Sequence, residues 1–153
     1  MEKALFAAGC FWGVEETFRK LDGVKKTEVG YSGGDTADPN YEAVCQGNTF
    51  HAEVVLIEFD KNEITFDKLL DKFWECHDPT TLNRQGPDIG TQYRSAIFYF
   101  DDYQKKIAEE SKENYSKKNN LNIVTEIKKV KKYYKAEEYH QKYILKTGLH
   151  CAI

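Results

Sequence analysis

The apolar pattern of this chain changes period close to its start, and the change falls on Gly9-Cys10-Phe11-Trp12-Gly13. Lys3-Ala4-Leu5-Phe6-Ala7-Ala8 reads as a short buried strand, whereas from Phe11 the apolar positions Phe11, Val14, Phe18 and Leu21 recur at helical spacing. A strand over 3–8 followed at once by a helix over 11–21 puts Cys10 at the helix N-terminus. Unpaired backbone N–H groups there carry partial positive charge, which favours an anion and draws a thiol pKa from about 8.5 toward roughly 3.5–7.5. On position alone a second reading stands beside this one: Cys10 is a small buried core residue, as cysteines commonly are.

Farther along the chain the same two periods predict strands over 24–32 and 52–59, then a helix opening at Thr65-Phe66. That helix sets Phe66, Leu69, Leu70 and Phe73 on one face and runs to about Cys76, where Asp78-Pro79 stops it. A strand over 95–100, a mostly polar surface helix over 103–118 and an alternating edge strand over 123–130 follow. The order β-α-β-β-α-β-α-β predicts an α+β fold: a two-layer sandwich with a ferredoxin-like split βαβ core, its helices packed on one face of an antiparallel sheet. Two long loops, 33–50 and 78–93, stand out, because loops beyond ~12–15 residues in a compact domain are commonly functional.

Composition narrows the function classes. A chain of 153 residues that is 41% hydrophobic is expected to form one domain over 1–153 with a core able to stand alone. Its net charge of −3 conceals a basic run, Lys128-Lys129 and Lys131-Lys132 to Lys135. The run reads as a solvated face, so no nucleic-acid partner is expected. No stretch of 18 apolar residues occurs, so no membrane span is expected. Met1-Glu2-Lys3 leads straight into the motif with no room for a signal peptide, which makes the cytoplasm the expected compartment. There, cysteines at 10, 45, 76 and 151 point to redox or catalytic use before a disulfide framework.

The loops hold the polar residues of interest: Gly30-Tyr31-Ser32-Gly33-Gly34, Pro39-Asn40-Tyr41, His51-Ala52-Glu53, and Asp88-Ile89-Gly90-Thr91-Gln92-Tyr93-Arg94. Together with Gly-Cys10-Phe-Trp-Gly, these ordered blocks resemble the A-type peptide methionine sulfoxide reductases, and the similarity spans Phe6 to Cys151. The resemblance implies a single catalytic domain that reduces the S epimer of methionine sulfoxide, free or in proteins. It would work by cysteine chemistry without a metal, flavin or other cofactor, as a monomer, with thioredoxin as reductant.

A sulfoxide sulfur is a weak electrophile until its oxygen is hydrogen-bonded or protonated, so such a site needs a thiolate, an acid and further donors at one oxygen. Carried over motif by motif, Cys10 is the nucleophile, Glu53 the acid, and Tyr41 and Tyr93 are phenol donors to the same oxygen. Phe11 and Trp12 would form the apolar pocket for the substrate methyl, and Asp88 would bind the substrate or its backbone. Glu53 must then stay protonated near neutral pH, which demands a desolvated setting. His51 and Arg94 read as structural neighbours, and Gln92 is left without a role.

Oxygen transfer would leave Cys10 as a sulfenic acid, with which a second thiol condenses to a disulfide and water. Cys151, near the terminus after Thr147-Gly148, is the expected resolving cysteine; Cys45 is the runner-up, and Cys76 is expected to be inert. The sequence ends at Ile153, short of the glycine-rich, cysteine-bearing tail of longer family members, so a two-cysteine cycle attacked directly by thioredoxin is expected. Other classes have weaker claims. His51-Ala52-Glu53 also fits the His-x-Glu of zinc deaminases, but no Pro-Cys-x-x-Cys follows, and Cys76-His77 and His150-Cys151 match no zinc spacing, so no metal is expected. A thiol hydrolase pairing Cys10 with His51, or a binding module in which Cys10 is dispensable, completes the alternatives.

Overall fold

The computed structural model describes residues 1–148. In chain order the elements are β1 (Glu2–Ala8), α1 (Phe11–Arg19), β2 (Val24–Ser32), α2 (Tyr41–Cys45), β3 (Ala52–Phe59), α3 (Phe66–Glu75), β4 (Arg84–Gln85), β5 (Asp88–Ile89), β6 (Ser95–Tyr99), α4 (Asp102–Asn119), β7 (Glu126–Lys129), β8 (Tyr133–Lys135) and α5 (Tyr143–Thr147). Single 3-10 turns lie at Thr91–Tyr93 and Glu138–His140. The main sheet runs β7-β6-β1-β3-β2-β8. Its inner four, β6-β1-β3-β2, are antiparallel neighbours in the split βαβ order, so the expected ferredoxin-like core is present.

The apolar run of β1 does not alternate because both of its faces are covered. Ala4, Phe6 and Ala8 join the core under α1 and α3, built around Phe18, Leu69, Leu70 and Phe73. Leu5 and Ala7 point the other way, into a smaller cluster with Val54, Ala96 and Phe98, which Val130 and Tyr133 close over. Each of the large side chains buried in these clusters contributes about 1.5–3 kcal/mol. Local signals start the helices as read: the Thr65 hydroxyl accepts from Lys68 N, and the Asp101 carboxylate accepts from Gln104 N.

Four features depart from the sequence reading. The loop 33–50 contains α2, capped by Asn40 Oδ1 accepting from Ala43 N at 2.8 Å. The loop 78–93 contains the β4–β5 hairpin. The edge strand is shorter than 123–130, and it pairs parallel to β6, because α4 makes the crossover between them. Finally, residues 133–148 form a strap over α1 and β2 that no period announced. Gln141 behaves as a detached piece of strand, its Oε1 accepting from Val29 N at 2.8 Å and its Nε2 donating to Val29 O at 2.9 Å. The buried Glu15 of α1 accepts from Lys142 N at 2.7 Å and from Thr27 Oγ1 at 2.8 Å. A charge buried this deeply persists only when paired, and Lys142 Nζ supplies the partner at 2.9 Å.

Candidate active site

Register brings the motif residues to one end of the sheet. Ala8 faces Ser95 across β1–β6, and Ser32 faces Ala52 across β2–β3. Cys10 is half-buried at the N-cap of α1. Gly9 turns the chain there at φ +102, and a Cβ on it would lie 2.8 Å from Gln85 Cγ, so only glycine fits. Glu53, one residue into β3, is 1% exposed, and its Oε1 accepts from the Phe11 amide at 3.1 Å. The carboxyl and the cysteine therefore share one helix mouth.

The two phenols arrive from the two long loops. Tyr41 opens α2, and Tyr93 ends the 91–93 turn. Burial above all holds the Tyr93 hydroxyl protonated well above the usual phenol range, and the nearby acidic groups of Glu53, Cys45, Asp88 and Cys10 further disfavour a phenolate. Burial does the same for Tyr41, whose hydroxyl faces the Cys45 sulfur and, farther off, Glu53. Both phenols are thus fixed as donors. Phe11 is 1% exposed and packs 5.7 Å from Tyr31 and 5.3 Å from His140, while the half-buried Trp12 stacks on Tyr143 at 3.9 Å. Phe11 is therefore sealed beneath the ring cluster, whereas Trp12 keeps part of its indole exposed. Asp88 is half-buried on β5, within electrostatic reach of Tyr93.

Other expected residues fall elsewhere. His51 engages both ring nitrogens in its own loop: Nδ1 accepts from Gly34 N at 3.0 Å, and Nε2 donates to Thr36 O at 2.6 Å. Arg94 is paired with Glu126 at 2.8 Å. His77 donates from Nδ1 to Phe73 O at 2.6 Å and accepts Ser95 Oγ at 2.7 Å, and burial holds its pKa at about 4. Burial pushes the Cys76 thiol up to about 12, an unreactive state. Cys45 is exposed beside Tyr41 and Tyr93. Cys151 and His150 lie outside the described residues.

The sequence reading missed His140 and Glu137, which the strap delivers. Glu137 Oε1 accepts from Tyr31 OH at 2.8 Å and Oε2 from Tyr41 N at 2.9 Å, which fixes the start of α2. Burial works against its charge, but those donors and its own amide outweigh it and hold its pKa below the usual carboxylate value. His140 is fully buried, and its Nδ1 accepts from Trp12 Nε1 at 2.9 Å, so the neutral ring carries its proton on Nε2. Burial lowers its pKa; Glu137 pulls the other way and Lys146 reinforces the lowering. Protonation would turn Nδ1 into a donor and break the Trp12 bond. The sign follows: stability from this contact is complete above about pH 6.5 and falls as pH drops toward the lowered folded value. Trp12 emission should therefore shift below pH 6.5 with a midpoint under that of an ordinary histidine, and His140→Phe should remove the transition at a cost of about 1 kcal/mol. An unchanged emission titration in that variant would show that the bond does not hold the indole.

An α+β domain that gathers a cysteine, a buried carboxyl and two phenol donors at one helix mouth is a thiol-bearing site of defined chemistry, and comparison with known proteins places it. A model of the family described as peptide methionine sulfoxide reductase matches residues 2–152. The chain is 56% identical over 145 residues to a "Peptide methionine sulfoxide reductase" of Lactuca sativa, covering 95% of itself but 56% of that protein, so it spans about half the length of that curated relative. It is 55% identical over 147 residues to "Peptide methionine sulfoxide reductase MsrA" of Acinetobacter baumannii (strain AYE), covering 96% of itself and 84% of the relative. Among solved structures, Mxr1 from Saccharomyces cerevisiae in reduced form superposes with a TM-score of 0.94 at 40% identity, with 99% of this chain and 88% of that one covered. The same yeast protein in complex with Trx2 matches with a TM-score of 0.67 at 28% identity over 93% and 84% of the two chains. The chain belongs to the peptide methionine sulfoxide reductase family.

Proposed function

We propose that this chain reduces methionine S-sulfoxide, free or protein-bound, to methionine through Cys10. The observation that carries the reading is the buried Glu53 carboxyl bonded to the first amide of the helix that Cys10 caps. The helix N-terminus favours the thiolate, and the thiolate disfavours a second anion beside it, so Glu53 remains the acid. The Cys10 thiolate attacks the sulfoxide sulfur while Glu53 gives its proton to the oxygen, with the Tyr41 and Tyr93 hydroxyls donating to it. The S–O bond of the substrate breaks and oxygen passes to Cys10; methionine leaves, reduced by two electrons, and Cys10 becomes a sulfenic acid. Trp12 would hold the substrate methyl above Phe11, and Asp88 the substrate backbone.

Cys151 then displaces the hydroxyl of the sulfenic acid, releasing water and forming Cys10–Cys151, which the dithiol of thioredoxin reduces by exchange. The yeast neighbour solved with Trx2 supports that reductant. Cys45 is a second candidate because it lies beside the same two phenols. Resolved epimers offered with dithiothreitol should show consumption of the S form and not the R form; the reverse would refute the reading. In the same assay with thioredoxin in place of dithiothreitol, Cys151→Ser should complete one turnover and then stall, with recycling reduced about 100-fold. Recycling lost in Cys45→Ser instead would reassign the step.

A further inference from the structure

The basic run lies along a cavity. Lys128, Lys129, Lys131 and Lys132 line a groove of about 790 Å³ whose opposite side is the 33–37 turn. All four are exposed, and among the described residues none has a carboxylate within ion-pair distance. Two carboxylates face the groove, Asp35 and Glu126, and Glu126 is taken by Arg94. The groove is therefore positive on a chain whose net charge is −3.

The groove lies on the sheet face opposite α1, where Phe98 packs with Leu5 and Ala7, and it reaches the Cys10 end of the sheet through Arg94 and Gly33. Arg94, on its wall, directly follows Tyr93 and donates to Thr91 O at 2.9 Å and Gly33 O at 3.4 Å, which ties the Tyr93 turn to the groove. Gly34, on the facing side, is bonded to His51, two residues before Glu53. A small sulfoxide has no need of this surface, whereas a polypeptide long enough to round the sheet end at Arg94 can use both the groove and Cys10.

We propose that the groove docks acidic polypeptide segments flanking an oxidised methionine, so that acidic-flanked sites are reduced preferentially. This rests on the reductase reading above and names its substrate class. Single-stranded nucleic acid is the competing occupant, and it is disfavoured because Phe98 on the floor is 3% exposed and gives a base no ring face to stack on.

The test compares methionine-S-sulfoxide peptides of equal length with aspartate, neutral or lysine flanks, and free L-methionine S-sulfoxide, on the native chain and on K128E/K129E/K131E/K132E. In the native chain, kcat/KM for the aspartate-flanked peptide should exceed that for the lysine-flanked one about tenfold at low ionic strength, shrinking to within about twofold at ~0.5 M salt. The variant should lose or invert that preference with the free sulfoxide rate unchanged. The same preference in both proteins would overturn the proposal. Because the β7 lysines also guard an edge strand, K131E/K132E, outside β7, serves as the second variant, and a soluble K131E/K132E protein with an undiminished preference would overturn the proposal too. Groove-dependent binding of a single-stranded oligonucleotide without peptide preference would overturn it too. Should the free sulfoxide not turn over at all, the reductase reading fails, and anisotropy of a labelled aspartate-flanked peptide on Cys10→Ser, with and without the four substitutions, still decides the groove.

Discussion

Cys10→Ser is expected to abolish sulfoxide turnover while leaving the fold at least as stable as the native chain. A serine hydroxyl at this position is not ionised by a helix N-terminus, and it offers no sulfur to accept the oxygen atom, so the rate should fall by at least about 10⁴, to background. Stability moves the other way. Cys10 makes no side-chain capping bond to α1, and serine is among the preferred N-caps, worth about 0.5–2 kcal/mol over residues that do not cap. In a chain of this length that raises the melting temperature by roughly 2–4 °C per kcal/mol. A more stable, inert variant is the signature of a residue kept for chemistry. Residual turnover above about one part in a hundred would remove Cys10 from the nucleophile's role, and a large loss of stability would make it a core residue.

Glu53→Gln is expected to lower kcat/KM by about 10²–10⁴ with little change in fold, since the glutamine carbonyl still accepts from Phe11 N. The size of the loss is diagnostic. The amide keeps a donor for the sulfoxide oxygen but has no proton to transfer, so a loss near the lower figure means hydrogen bonding and one near the upper figure means proton transfer. The proposed proton transfer requires a protonated Glu53, and its 1% exposure favours that form, since burying an ion costs several kcal/mol whereas a helix N-terminus favours a carboxylate by at most ~2 kcal/mol. Under that mechanism the activity should fall on an alkaline limb that the glutamine variant lacks. A variant that retains native kcat/KM would assign the acid to one of the phenols.

Particular elements show how far the sequence could be read. The β1–α1 junction was legible because it rests on two local periods, and Phe11, Val14 and Phe18 are buried on the α1 face predicted for them. The α3 stripe Phe66, Leu69, Leu70 and Phe73 is buried in the same way. By contrast α2 is five residues long, below what local propensity sustains, and it stands because Asn40 caps it and Glu137 receives its first amide. The three-residue β8 exists because β2 offers an open edge. His140 carried no local signal, because its meaning is a 2.9 Å bond to a tryptophan 128 positions away.

Sequence by itself determined the split βαβ core, the buried stripes of α1 and α3 and the placing of a cysteine on a helix cap, because each depends on side-chain periods and caps within a few residues. Tertiary structure alone decided that the Glu53 carboxyl is buried against that helix, that the strap brings Glu137 and His140 to it, and that four lysines border a groove rather than an open face. Those are long-range facts. A carboxyl's solvation, a ring's tautomer and the field in a groove depend on which distant segments close over them, and no local pattern encodes that.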